Sequence, residues 1–116
     1  MTAPNIASLT TVTGKVSVQV ISTSPSAIVS NSNSSNTVVK INNLTVSNVG
    51  SVSANLTVDL YRSSTAYRLA YNLNVPVGTS ITLLDKHLYV EEGDSIRLTS
   101  DTASTLEGIC SYEIIG

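Results

Sequence analysis

Apolar and polar residues alternate with a period of two along most of this chain. The segments KVSVQV at 15–20 and LTVDLY at 56–61 show the alternation, and YRLAYNLNV at 67–75 carries it furthest. A period of two is typical of β-strands, whose successive side chains point to opposite faces of a sheet. No window has the period of a helix, so the pattern predicts an all-β protein built from half-buried strands.

Two changes of phase interrupt the alternation. Within VVKINNLTV at 38–46 the apolar residues change parity at Asn42–Asn43, and within ITLLDKHLYV at 81–90 they change parity near Leu84–Asp85. A shift of one residue sends every later side chain to the opposite face of the sheet. We therefore predict a β-bulge at the first position and a bulge or bend at the second.

Short polar segments separate the apolar runs and mark the connections between strands. They are rich in Gly, Pro, Asn and Ser, which favour turns. Regular short strands joined by such turns favour an antiparallel β-sandwich or jelly-roll-like fold over a parallel sheet, which would need helical crossovers. We predict about eight strands in two sheets, with connections at residues 23–26, 30–36, 48–51, 76–80 and 91–94.

The length of the chain fits one domain of this kind. With 116 residues it is large enough to bury a core of its own. We expect residues 1–14 to form an N-terminal arm and the first strand, and residues 15–116 to form a single β-sandwich domain. The tract SNSNSSN at 30–36 is predicted to be an exposed loop.

Charge and hydropathy argue against two kinds of partner. Only 12% of the residues are charged, the net charge is −2, and no basic run is present that could follow a phosphate backbone. No segment has the roughly eighteen apolar residues of a membrane span, and MTAPNIASL lacks the regions of a signal peptide. We expect no nucleic-acid or membrane partner, and a protein that stays where it is made until it assembles.

The segment HLYVEEGDSI at 87–96 gathers the one histidine of the chain and three acids. These residues, His87, Glu91, Glu92 and Asp94, form either a metal or acid–base site or a charged hairpin turn. A zinc site would need further histidine or cysteine ligands, and the spacing differs from that of the twelve-residue calcium loop. The turn is favoured, and we predict no catalytic, cofactor-binding or metal-binding residue.

The composition of this turn has a local explanation. Gly93 can adopt the positive φ of a tight hairpin, and acidic side chains keep the tip in water. Lys86 and Arg97 on the flanking strands are expected to pair with these acids at the surface. The double substitution Glu91→Gln with Glu92→Gln is therefore predicted to leave the fold intact.

Other candidate reactive or binding residues also have structural interpretations. A serine or cysteine nucleophile needs a histidine as its base, and the chain has only one histidine. No G-x-S-x-G or H-E-x-x-H motif is present either, so we do not expect an enzyme. Cys110 shares the parity of Leu106 and is predicted to be a buried core residue. Tyr67 and Tyr71 are expected to point into the core or a subunit interface, with a stacking platform for sugar or base as the alternative.

Several segments, in this order and spacing, resemble small virion structural proteins of tailed bacteriophages, especially contractile-tailed phages of marine cyanobacteria. Each segment alone has a composition that is common in β-strands and turns, so the resemblance depends on the order and spacing of the segments. The middle of the chain departs from the pattern in SPSAIVSNSNSSN and SSTAYR. The similar segments are APNIASLTTVTGK at 3–15, VVKINNLTVSNV at 38–49, YRLAYNLNVPVGTSITLLDKHLYVEEGDSI at 67–96 and LEGICSYEII at 106–115.

This resemblance implies a non-enzymatic virion structural protein with a β-sandwich fold and no cofactor. It points to capsid decoration or cement through repeated docking on the major capsid protein, with a tail, neck or baseplate component as the alternative. It also implies homo-oligomers whose N-terminal arm reaches a neighbour, made in the host cytoplasm and assembled into virions. The alternative of another class is a carbohydrate-binding attachment module, with Tyr61 and the loop 30–36 as contacts.

Overall fold

The computed structural model describes residues 11–116, which fold into an all-β structure. Every strand pairing is antiparallel, as short connections require. The strands are β1 (Val12–Val20), β2 (Ser26–Ser30), β3 (Val38–Asn48), β4 (Ala54–Arg62), β5 (Thr65–Val75), β6 (Ser80–Thr82), β7 (Leu88–Val90), β8 (Ser95–Ser100) and β9 (Leu106–Ile115).

The strands form two sheets that pack face to face. One sheet has the order β1-β9-β3-β6, with β7 also paired to β3, and the other has the order β2-β8-β4-β5. The predicted β-sandwich is therefore confirmed. The described part of the chain has nine strands, close to the predicted number of about eight.

Aliphatic side chains between the sheets form the core. Ile41 and Leu44 on β3 and Leu56 on β4 have no exposed surface and belong to one cluster supplied by both sheets. Burying each such side chain stabilises the fold by about 1.5–3 kcal/mol. Gly108 on β9 lets the sheets approach closely, because a Cβ there would lie 2.8 Å from Cδ1 of Leu98 on the opposite sheet.

Both predicted interruptions of the strand pattern are present. The register of β3 against β9 shifts between Ile41 and Asn43, and residues on either side of this bulge, Ile41 and Leu44, are both buried. Residues 83–87 lie outside any strand and separate β6 from β7. The bulge at Asn42–Asn43 and the break near Leu84–Asp85 are therefore confirmed.

The first strand alternates as predicted, but its valines point away from the core. Val16, Val18 and Val20 have 64%, 72% and 61% of their surface exposed. The polar residues between them face the second sheet, where the Ser17 hydroxyl donates to the carbonyl of Ile28 at 2.8 Å. The expectation of a half-buried valine face is wrong, because the polar face of β1 lies inside and bonds the backbone of β2.

The apolar residues of β5 are also more exposed than predicted. This strand forms one edge of the second sheet. Tyr67 and Tyr71 are 58% and 67% exposed, and Leu69 and Leu73 are 42% and 39% exposed. The register against β4 shifts twice, which breaks the common inward face. The expectation that the tyrosines enter the core is wrong, while their place in a subunit interface stays a prediction.

Residues 1–10 of the predicted N-terminal arm and first strand lie outside the described residues, which begin at residue 11. The predicted boundary between residues 14 and 15 falls inside β1. At the start of this strand the Thr11 hydroxyl donates to the carbonyl of Gly116 at 2.6 Å, which joins β1 to the end of β9. Within residues 11–116 no helix is long and apolar enough to cross a membrane.

Candidate functional site

A buried carboxylate holds the turn between β7 and β8. The Asp94 side chain has no exposed surface and accepts hydrogen bonds from Nε of Arg62 at 2.8 Å and from Nη2 of the same guanidinium. It also accepts the backbone N–H of Glu91 at 3.1 Å. The hydrogen bond with Asp94 raises the pKa of the Arg62 guanidinium. Since Arg62 ends β4, this ion pair fastens the β7–β8 turn to the neighbouring β4–β5 turn.

A second carboxylate of the same turn is buried against the loop between β2 and β3. Glu92 is 3% exposed, and its side chain accepts the backbone N–H of Asn36 at 2.7 Å. In that loop Asn31 is 5% exposed and donates its amide to the carbonyl of Thr37 at 2.9 Å. The prediction of a solvated acidic tip is therefore wrong for Glu92 and Asp94, because the adjacent loop and Arg62 cover them.

Glu91 is the most exposed acid of the turn and lies nearest to the solvated position that the sequence predicts. Its side chain is 44% exposed and lies 3.1 Å from Nη2 of Arg62. His87 precedes β7, with its ring edge-on to that of Tyr89 at a centroid distance of 5.8 Å. In the described part of the chain no group of three or more His, Cys, Asp or Glu residues is placed to hold a metal ion. The carboxylates of this turn serve ion pairing and loop anchoring.

A groove of about 450 Å³ opens beside these carboxylates. Its wall includes the β4–β5 turn, in which Ser63 and Ser64 have φ values of 51° and 60°. A two-residue hairpin with two positive φ angles normally uses Asn-Gly, so two serines hold this turn under backbone strain. The groove is lined by Asn33, Tyr61, Arg62, Ser63, Ser64, Glu92, Gly93 and Asp94.

Arg97 pairs with Asp59 rather than with the acids of the turn. Its Nε and Nη2 lie 2.9 Å and 3.3 Å from the two carboxylate oxygens of Asp59, which is 2% exposed. The guanidinium also stacks over the ring of Tyr61, 3.8 Å from its centroid. The predicted partners of the turn, Lys86 and Arg97, are thus replaced by Arg62. One face of the Tyr61 ring is covered, which disfavours Tyr61 as a sugar platform.

Cys110 occupies the core position predicted for it. It has no exposed surface, it is not in a disulfide, and its register partner on β3 is the buried Leu44. Burial raises the pKa of the Cys110 thiol to about 11. Because the thiolate is the reactive form, this residue is chemically inert at neutral pH.

A contiguous exposed apolar surface lies on the outward side of β1 and β9. Ile109 is 51% exposed and lies opposite Val18 in the antiparallel register. We call Val16, Val18, Val20 and Ile109 the valine row. A shallow concavity of about 390 Å³ runs along part of it. A patch of this kind marks a surface for interaction with another molecule.

Sequence reasoning did not single out the valine row, although one signal for it was available. Cys110 was predicted to be buried, and Ile109 precedes it on the same strand. Neighbouring residues of a strand point to opposite faces, so a buried Cys110 places Ile109 outside. The valines of β1 offer no such signal, because the side of the sheet that they occupy depends on how β1 pairs with β9.

These observations define an all-β sandwich whose buried carboxylates bond arginine side chains or backbone N–H groups, and whose edge strands β1 and β5 both carry exposed apolar side chains. No protein-family model and no curated protein matches the chain. Among solved structures the fold is similar to a chain of Bacillus endospore appendages, which are described as forming a novel family of disulfide-linked pili. That similarity has a TM-score of 0.54 at 13% sequence identity, and covers 99% of this chain and 95% of the other. At this identity the likeness shows the fold alone.

Proposed function

We propose that this chain is a non-enzymatic structural protein of a virion that docks repeatedly on the capsid, as a decorating or cementing subunit. The valine row carries the proposal, since four contiguous apolar side chains that are each at least half exposed favour contact with a partner. The partners would be the major capsid protein and further copies of the chain. The resemblance of residues 67–96 to phage virion proteins supports the choice of particle.

The placement of the ionisable groups supports a structural role. The buried carboxylates of Asp59, Glu92 and Asp94 all accept hydrogen bonds from arginine side chains or from the backbone. Groups engaged in this way hold loops and strands together rather than exchanging protons with a substrate. The thiol of Cys110 is out of reach in the core.

A tail, neck or baseplate component is the second candidate. The fold shared with a chain of disulfide-linked pili favours it. A disulfide link through Cys110 would not be available, because that side chain is fully buried. The second candidate therefore also depends on non-covalent contacts between copies.

The copy number per particle separates these two roles. Quantitative mass spectrometry of virions of the phage that encodes the chain would give this number. Copies on the order of hundreds are expected for capsid decoration, whereas about six or twelve would match the symmetry of a tail or neck. The smaller number would rule out the decoration role.

A matched pair of variants tests the docking surface itself. Val18→Thr keeps the shape of the side chain but adds a polar group to the valine row, so docking on purified particles should fall at least about tenfold. Val52→Thr is the control, because Val52 is 53% exposed in the loop between β3 and β4. Co-sedimentation measures both, and equal docking of the two variants would contradict a role for the valine row.

A further inference from the structure

The open edges of the sandwich differ in how well they are protected against pairing. Of the edges described within residues 11–116, β6 and β7 are three residues long each. The edge strand β2 is short, and its carbonyls at Ala27 and Ile28 accept hydrogen bonds from Gln19 and Ser17. The edge strand β5 shifts register twice and has a φ of 49° at Asn72. Short strands, bulges and capped backbone groups all prevent a further strand from adding.

The edge strand β1 has none of these protections. It pairs with β9 over nine residues without a register shift. Lys15 is its one charged residue. Long, regular and apolar edge strands are the ones that accept a partner strand.

The hydrogen bonds at the two ends of β1 show which backbone groups remain on the open side. Ile21 donates its N–H to Leu106 at 2.9 Å, and Thr11 accepts the N–H of Gly116 at 3.0 Å. Bonding alternates along an antiparallel pair, so the odd-numbered residues of β1 bond to β9. The even-numbered residues direct N–H and C=O to the open side, and these are Val12, Gly14, Val16, Val18 and Val20.

We propose that a second copy of this chain pairs with this edge, β1 against β1 and antiparallel, about a two-fold axis that passes between the two copies of Val16. This register uses the whole strand and places Val12 opposite Val20 of the second copy. Lys15 then lies opposite Ser17, so the one charge of the strand meets no like charge. If the register between the two copies were shifted by one residue, the even-numbered residues of one copy would lie opposite odd-numbered residues of the other. The N–H and C=O groups of those odd-numbered residues already bond β9, so no hydrogen bonds could form between the copies. Such an interface is self-complementary, as a symmetric dimer requires.

The pairing would be sufficient for a specific interface. Five residues in each copy offer an N–H and a C=O, so the junction has about ten main-chain hydrogen bonds, the number found in interfaces of standard size. The two valine rows would also become neighbours on one continuous sheet. The pairing would double the apolar surface that docks on the particle, and in this respect the inference rests on the proposed function.

Cysteine cross-linking tests the register. In a hydrogen-bonded antiparallel pair the Cα atoms lie about 5.5 Å apart, within the range of a disulfide. Val16→Cys should therefore give a covalent dimer on mild oxidation, and the buried Cys110 does not interfere. Val18→Cys should not, because the two copies of residue 18 would lie roughly 15 Å apart. Val49→Cys, in an exposed loop, is the background control. Cross-linking through residue 18 in place of residue 16 would overturn this register.

Light scattering after gel filtration tests the dimer itself. The unmodified chain should have twice the monomer mass, and Val16→Pro should be monomeric with unchanged circular dichroism, since the N–H it removes is not bonded to β9. A monomeric unmodified chain would overturn the inference. If that monomer still docks on particles, the proposed function stands without the dimer. A dimer that does not dock would support the pairing of β1 and contradict the proposed function.

Discussion

Replacing Asp94 by asparagine should destabilise the protein more than the same change of carboxylate to amide at Glu91 or Glu92. The substitution keeps the shape of the side chain but removes the charge that faces Arg62 and places an amide group among hydrogen-bond donors. Hydrogen bonds to charged groups contribute about 1.5–3 kcal/mol each, and breaking a buried ion pair costs about 3–5 kcal/mol. The Arg62 side chain is 36% exposed and can recover water, so we expect a loss at the lower end, about 3 kcal/mol.

Urea denaturation and thermal unfolding at neutral pH measure this loss. The melting temperature should fall by roughly 10–15 °C for a domain of this size. Glu91→Gln is the matched control, because it touches the same guanidinium from an exposed position and should change stability by less than about 1 kcal/mol. If Asp94→Asn and Glu91→Gln have the same small effect, the Asp94 carboxylate does not hold the turn.

The double variant Glu91→Gln with Glu92→Gln bears on the same turn. The sequence alone predicts an intact fold, whereas the structure adds a measurable cost because Glu92 is buried and bonds the backbone of Asn36. We expect a folded protein that is less stable by about 1–2 kcal/mol. Urea denaturation of the two single variants should assign that loss to Glu92. In the β4–β5 turn, the double variant Ser63→Asn with Ser64→Gly should be more stable by about 1 kcal/mol, because Asn and Gly tolerate the two positive φ angles better than serine does. An unchanged midpoint of urea denaturation would contradict backbone strain at these serines. Burial raises the pKa of the Cys110 thiol from 9.0 to about 11. The stability that the protonated thiol contributes is therefore complete below pH 9 and is lost as the pH rises towards 11. In urea denaturation at a series of pH values, the free energy of unfolding of Cys110→Ala should lack this dependence on pH. Gly108→Ala should destabilise by about 1–2 kcal/mol, because its new methyl group displaces the Leu98 side chain, and thermal unfolding would detect it.

The strand pattern and its interruptions could be predicted because they depend on local sequence. The bulge at Asn42–Asn43 follows from a change of parity within one strand. The core position of Cys110 follows from the parity of its own strand in the same way. The period of two reports alternation directly, so neither inference needed a partner strand.

The orientation of the edge strands could not be predicted in this way. Alternation shows that Val16 and Ser17 face opposite sides of a sheet, but it does not show which side is covered. For β1 the polar side is inside, because the Ser17 hydroxyl donates to the backbone carbonyl of Ile28 on β2. That carbonyl is available only through the packing of the two sheets, which no short segment encodes.

The buried charges escaped prediction for a related reason. Asp94 and its partner Arg62 are 32 residues apart and on different strands or turns. A run of acids beside a glycine is indistinguishable, in sequence, from an exposed hairpin tip. Of the three acids in this segment, Glu92 and Asp94 are buried, by the loop that contains Asn36 and by the distant Arg62.

The polar bonds from β1 to β2 also bear on the mechanics of an assembly. Because Ser17 and Gln19 cap the carbonyls of β2, a second copy can add to only one of the two sheets at this side of the sandwich. A junction one layer thick bends about the strand direction more easily than a junction of two coupled layers. Two copies joined in this way would act as a hinge, and the same subunit could then follow a surface whose curvature changes from place to place.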